Sequence, residues 1–410
     1  MIEPKLRFKK DDGSDFPDWE EKKLGDVCDT LTYGMNAAAV KFDGENKYIR
    51  ITDIDDESHC YKNDELVSPD GELDNKYLVC ENDILLARTG ASVGKSYLYN
   101  KEDGKLYYAG FLIKAHVKSE NSKFIFFQTL TERYDKWVKI TSMRSGQPGI
   151  NANEYSDFTM NVPSLPEQQK IADFLSTIDT IIEKQRATVS AWEERKKGVM
   201  QKLFSQEVRF KADDGSDFPD WEECTVGELF VPVVKKNKDG SIQNVITNSA
   251  QYGLIPQRDF FDKDIAIKEN TSNYTIIQNG DFVYNPRKST TAPFGPFNIY
   301  ERDEAGIVSP LYTCLTPKYK EMTPYLSWYF RTNKWHPYIV THGAQSGARH
   351  DRVGMTATLM NGIPVIYPSL PEQQKIADCL SALDAVIEKQ KETLEKWQEL
   401  KKGLLQQMFV

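Results

Sequence analysis

The sequence predicts an α+β protein built as a pseudo-two-fold tandem repeat, with two similar globular domains separated by an antiparallel two-helix coiled coil. Three observations carry this expectation. The segment FKKDDGSDFPDWEE at Phe8–Glu21 returns as FKADDGSDFPDWEE at Phe210–Glu223, with thirteen of fourteen positions identical. A second block, PSLPEQQKIAD at Pro163–Asp173, returns unchanged at Pro368–Asp378. Between these blocks the two halves differ almost everywhere. Self-similarity at a fixed offset marks a repeat architecture. Blocks kept alike must fit the same surroundings twice, whereas divergent inserts can share a fold and present different surfaces.

Each second block opens a long helix. Ser164-Leu165-Pro166-Glu167 has the spacing of a capping box, with Ser164 as N-cap and Glu167 three residues on, and Ser369 and Glu372 repeat it. No Gly or Pro follows until Gly198 and Gly403, which leaves roughly 33 residues to run as one helix. Leu175, Ile178, Ile182, Val189, Trp192, Val199 and Leu203 recur at heptad spacing, as do Leu380, Leu383, Ile387, Leu394, Trp397, Leu404 and Met408. That is a coiled-coil seam, with Trp192 and Trp397 expected in its core and Gln185, Lys196, Gln390 and Lys401 as polar positions. Parallel pairing would need a connection retracing the helix, about 50 Å at 1.5 Å per residue. Antiparallel pairing needs none, and it sets the two chain ends side by side. The expected organisation is an anchor and first domain over 1–163, the first helix over 164–205, a second anchor and domain over 206–368, and the second helix over 369–410. The anchor aromatics Phe16 and Trp19 read as a structural plug, and the run EERKKG at Glu193–Gly198 as a solvated helix face.

Composition narrows the function. The chain has 410 residues, 40% hydrophobic and 28% charged, more than one core usually holds. It has no apolar run of membrane-spanning length and no apolar leader after the first methionine, so a cytoplasmic protein is expected. Six cysteines without C-x-x-C spacing argue against a disulfide framework or a zinc ribbon. The net charge of −9 excludes a uniformly basic nucleic-acid coat, yet leaves room for local basic loops such as Ile84–Lys101.

The inserts mix short strands with helices. ENDILLARTG (Glu81–Gly90) and NGDFVYNPRK (Asn279–Lys288) each read as a buried strand delivering an arginine, Arg88 or Arg287, to a loop. Tyr107–Val117 and Ala305–Leu315 read as further strands. Gly90-Ala-Ser-Val-Gly94-Lys95-Ser96 looks like a phosphate loop, but holds three residues between its glycines where four are needed. Asn285-Pro286 reads as a turn. No His, Cys or carboxylate set has metal-ligand spacing, and no catalytic constellation emerges. What remains are polar loops whose residue types suit base edges, since arginine matches guanine, and asparagine or glutamine matches adenine. In the first domain these are Tyr33, Asn36, Arg88, Thr89, Ser92, Lys95, Arg144, Ser145, Gln147 and Asn151. In the second they are Asn248, Gln251, Tyr252, Arg287, Lys288, Gln345, Ser346, Arg349 and His350.

Two variable domains alternating with near-identical helices that begin PSLPEQQKIADFLSTIDTIIEKQ and PSLPEQQKIADCLSALDAVIEKQ resemble, over the whole chain, the specificity (S) subunit of type I restriction-modification systems. DILLARTGASVGK and SGQPGIN resemble recurrent pieces of that family's target-recognition domains. The resemblance implies that each domain reads one half of a bipartite, asymmetric double-stranded DNA site. It implies that the helices set the spacer and dock two modification (M) subunits, which carry S-adenosylmethionine and methylate adenine N6. Restriction (R) subunits would add ATP- and Mg-dependent translocation and cleavage, while this chain would be non-catalytic and hold no cofactor itself. Two other readings stay open: a coiled-coil scaffold whose variable domains bind protein, and a P-loop NTPase at Gly90–Ser96.

Overall fold

The computed structural model describes residues 4–143, 147–260, 271–343 and 351–409. They form two compact units, Met1–Ala187 with Lys391–Val410, and Thr188–Gln390.

In the first unit the run DILLA supplies the central strand, Asp83–Ala87, buried throughout. Side chains alternate along a strand, so Ile84 and Leu86 enter one core while Leu85 and Ala87 enter another. That strand pairs antiparallel with Ser96–Leu98 on one side and Leu112–His116 on the other, and Thr32–Tyr33 closes the four-stranded sheet. Helices Ser122–Gln128, Glu132–Ser142 and Ala152–Ser156 add Phe124, Phe127, Tyr134 and Tyr155 to the larger core. The second unit has the same strand order with different residues: Phe230–Pro232, Thr313–Pro317, Phe282–Tyr284 and Phe297–Ile299. Again Phe282 and Tyr284 face one core and Val283 the other.

Two strand expectations change. Tyr107–Val117 is two strands, because the chain turns at Gly110, where Leu112 N donates to Ala109 O at 2.8 Å. Leu106–Tyr108 pairs parallel with Lys47–Ile49, and Leu112–His116 joins the main sheet. Ala305–Leu315 likewise divides into Gly306–Val308 and Thr313–Pro317 around Pro310. The two strands end as their segments align, with the arginines one position apart. Ile150 N donates to Arg88 O, and Val353 N donates to Pro286 O, so Arg88 matches Pro286 and Thr89 matches Arg287.

The repeated helices run Leu165–Phe204 and Leu370–Met408, passing through Gly198 and Gly403, where an added Cβ would meet nothing. In the first unit Lys401 pairs with Asp179 at 2.6 Å, and in the second Lys196 pairs with Asp384 at 2.5 Å. The start of one helix thus lies beside the end of the other, in the same antiparallel register in both units. Leu175 meets Leu405 and Met408 in one core, and Leu380 meets Leu203 and Phe204 in the other. Ile178, Ile182 and Ile387 are buried, while Leu383 is partly so. Trp192 and Trp397 are not core residues: both are half-buried, and the Trp192 ring lies 5.1 Å from the Arg195 guanidinium. Two helices alone leave part of a side chain as large as an indole in water.

The identical blocks form identical locks. Glu167 is fully buried and takes two hydrogen bonds from Arg7, at 3.0 and 2.9 Å; Glu372 takes the same pair from Arg209, at 3.1 and 2.7 Å. The capping box is therefore not made as expected. Glu167 turns to the arginine, and the Ser164 and Ser369 hydroxyls have no partner among the described residues. Gln168 donates to Pro163 O and Gln373 to Pro368 O, both at 2.7 Å. Lys170 holds Asp11 and Lys9 O, as Lys375 holds Asp213 and Lys211 O. Trp19 packs edge-on against Phe124, and Trp221 against Tyr325, so the anchors are plugs. Even the junctions match, since Leu6 N donates to Gln407 O at 3.0 Å and Val208 N to Lys202 O at 3.3 Å.

Arg7→Met is expected to lower unfolding free energy by about 3 kcal/mol, because it strands a buried carboxylate, as urea denaturation would measure. Replacing Arg7 and Glu167 together by Met and Leu should restore most of that loss. A chain permuted to begin at Ser205, with the original ends joined through a short linker, is expected to melt within a few degrees of the parent in calorimetry.

Candidate nucleic-acid interface

At the end of strand Asp83–Ala87 the chain carries Arg88 out of the core. Its backbone is held on both sides: N donates to Phe111 O at 3.0 Å, and O accepts from Ile150 N at 2.9 Å. Its guanidinium lies 4.7 Å from the Tyr33 ring centre, a cation–π contact, and reaches Gly110 O at 3.4 Å. The buried Nε has no acceptor among the described residues. Tyr33 is itself fixed, because its hydroxyl accepts from Ala152 N at 3.1 Å. Thr89 bridges to Gly149, Gly90 N donates to Pro148 O, and a Cβ on Gly90 would stand 3.4 Å from the Gln147 amide nitrogen. Arg88, Thr89, Tyr33 and Gln147 therefore gather at one end of the sheet. Asn36 is exposed next to Met35, whose carbonyl accepts from Gly110 N at this end.

Other candidates have structural roles. Asn151 caps the helix Ala152–Ser156, accepting from Glu154 N at 3.0 Å while Glu154 answers Asn151 N. Lys95 is mostly buried, ion-paired with Asp56 and bonded to Ile54 O, so its charge is already neutralised. Ser92 lies in the turn before it, where its carbonyl accepts from Lys95 N. The same turn argues against phosphate binding. The amides of Gly90, Val93, Gly94 and Lys95 all donate to carbonyls of this chain, so four of the amides a phosphate cradle would use are already taken.

In the second domain Arg287 and Lys288 are exposed after strand Phe282–Tyr284. Arg287 N donates to Asn285 Oδ1, a side-chain turn of the kind expected, and Arg287 bridges to Arg352 across the loop. Lys288 N donates to Asp351 O at 2.8 Å. Gln251 and Tyr252 are exposed at the hairpin joining Ile246–Ser249 to Gly253–Pro256. Asn248 is buried: its amide donates to Val283 O at 2.7 Å, its Oδ1 accepts from Asn298, and its own carbonyl accepts from Asn285. It holds this end of the sheet together and presents nothing outward. Arg144, Ser145, Gln345, Ser346, Arg349 and His350 lie outside the described residues. The sequence reading missed the Tyr33–Arg88 stack and Arg352, because both depend on partners distant in the chain.

Burial pushes Cys28 and Cys314 up to about 12, and Cys224 up to about 11, so these thiols stay protonated at neutral pH. Burial also lowers the pKa of His59, favouring its neutral form. No group of three or more His, Cys, Asp or Glu among the described residues could hold a metal ion. No helix among them is long and apolar enough to cross a membrane.

Two copies of one domain fold, each sealed to the paired ends of two repeated helices and each delivering basic side chains from the same strand end, define a duplicated recognition protein. The chain belongs to the type I restriction modification DNA specificity domain family, whose model matches residues 17–189 and again 219–396. It is 25% identical to a putative type I restriction enzyme MjaX specificity subunit of Methanocaldococcus jannaschii, over 95% of this chain and 93% of that protein. It is 28% identical to the MjaVIII specificity subunit of the same organism, over 54% of this chain and 52% of the other. Among solved structures, the S subunit of a type I restriction-modification system from M. genitalium matches with TM-score 0.57 and 15% identity, covering 100% of this chain and 99% of that one. A chain from a study of complex assembly and conformational transition in the type I system matches with TM-score 0.54 and 17% identity, covering 95% and 97%. These likenesses are of fold.

Asn248→Ala is expected to cost about 1–3 kcal/mol, since it removes the buried bonds to Val283 O and from the Asn298 amide, which keeps only Ser249 O. Thermal melting would show it, and Gln251→Ala, on the exposed hairpin, should change stability by less than about 0.5 kcal/mol.

Proposed function

We propose that this chain is the DNA-reading subunit of a type I restriction-modification complex, with one domain for each half of a bipartite site. The observation that carries this reading is the pairing of one fold with two surfaces. The sheets share strand order and register, yet Arg88 and Thr89 in one stand where Pro286 and Arg287 stand in the other. A protein-binding scaffold has no need of two unlike basic tips on matched strands, whereas a two-part asymmetric DNA sequence does.

In this reading the repeated helices and anchors, alike in both units, dock two methyltransferase subunits that carry S-adenosylmethionine and act on adenine N6. ATP and Mg belong to restriction subunits, and this chain contributes specificity without a cofactor. The net charge of −9 repels phosphates outside the loops, so the isolated chain should bind DNA weakly and gain affinity on assembly.

The test is to assemble the chain with its methyltransferase and map modified adenines across a host genome. Arg88→Ala is expected to relax or abolish one half-site only, and Arg287→Ala the other only. Each lost bidentate contact costs about 1–3 kcal/mol. Either substitution changing both halves would contradict the division of labour.

A further inference from the structure

The turn that splits each expected strand places a large apolar side chain in solvent. In the first domain Leu112 N closes on Ala109 O at 2.8 Å, and Phe111 within that turn is 63% exposed. In the second, Tyr312 N closes on Ser309 O at 3.0 Å, and Leu311 is 56% exposed. Register makes these positions equivalent, since Leu86 pairs with Ile113 as Tyr284 pairs with Thr313. A single exposed leucine needs no explanation. Two large apolar residues at one position of inserts that otherwise diverge do need one.

The tip is rigid. Gly110 N donates to Met35 O, Gly34 N to Leu112 O, and Arg88 N to Phe111 O itself. The packing beneath is close enough that a Cβ on Gly34 would stand 2.2 Å from Ala109 O. The backbone at Phe111 is thus held on both sides while its side chain stands in solvent. It stands opposite Arg88 on the neighbouring strand, about 4.8 Å away across the sheet, as Leu311 stands opposite Pro286, next to Arg287. In the first domain a basic and an apolar group thus face each other across the strands; in the second Leu311 faces Pro286, and the basic group, Arg287, is the next residue along the chain.

Resting on the DNA-reading proposal above, we infer that Phe111 and Leu311 are specificity residues, each pressed against the C5-methyl of a thymine beside the contact made by Arg88 or Arg287. The methyl is the apolar feature of the major-groove edge. A wedge between base steps is the other use of such residues, but wedges enter from the minor groove, away from the edges that arginine reads. That both an aromatic and an aliphatic side chain fill the position also suits a methyl contact better than ring stacking.

The test uses the full chain assembled with its methyltransferase partner, as wild type, Phe111→Ala and Leu311→Ala. Each complex selects from randomised duplex pools made with thymine or with deoxyuridine in its place. Wild type is expected to prefer thymine at one position in each half-site, by about fourfold, the worth of one buried methyl. That preference should vanish in the deoxyuridine pool. Phe111→Ala should lose it in one half-site and Leu311→Ala in the other, with unchanged thermal melting. The inference is overturned if the variants keep the thymine preference, if it survives in deoxyuridine, or if they lose assembly with the methyltransferase and not base preference. Should wild type enrich no sequence from either pool, the DNA-reading proposal fails as well.

Discussion

Each unit buries a glutamate completely, Glu167 in one and Glu372 in the other, and each is answered by an arginine 160 or 163 residues distant in the chain. A carboxylate inside a protein is costly unless paired with good geometry, and removing one partner leaves the other charge uncompensated. The two-pronged guanidinium supplies that geometry. The anchor containing Arg7 must therefore return to the start of the long helix, and the domain between them is closed into a loop. Gln168 bonded to Pro163 O and Lys170 bonded to Asp11 fix the same seam. These contacts give the duplicated residues a shared reason to be alike: they build one lock twice.

Within each closed loop the sheet is free to change. Its central strand needs apolar residues on both faces, a demand met equally by DILLA and by DFVY with its neighbours. Strand order and register persist while side chains differ, because backbone hydrogen bonds carry the ladder. Divergence then collects where strands end, at Arg88 and Thr89 against Pro286 and Arg287. The architecture separates a constant frame from a variable reading edge, and this separation lets one fold serve two half-sites.

The antiparallel helices join these roles. Their seam holds two lysine–aspartate pairs in matching register, Lys401 with Asp179 and Lys196 with Asp384. Burial raises the pKa of Asp179, so this pair sits partly out of water, where a shifted register would leave charges unmet. Apolar contacts such as Leu175 with Met408 supply attraction without direction. The polar positions choose the alignment.

Repetition and periodicity made much of this legible in the sequence. Heptad spacing depends only on residues near in the chain, so both helices, and their antiparallel sense, followed from local pattern and connectivity. The buried strand through Ile84 and Leu86 was legible for the same reason. The sequence could not show that Glu167 leaves its capping box for Arg7, that Trp192 stays half-buried, or that Asn248 faces inward. Nor could it show that Arg88 rests on Tyr33 while Lys95 is tied to Asp56. Each of these outcomes is set by a partner far along the chain and by the space left once cores are packed. Local propensity names the groups that can bond; only tertiary packing decides which ones meet.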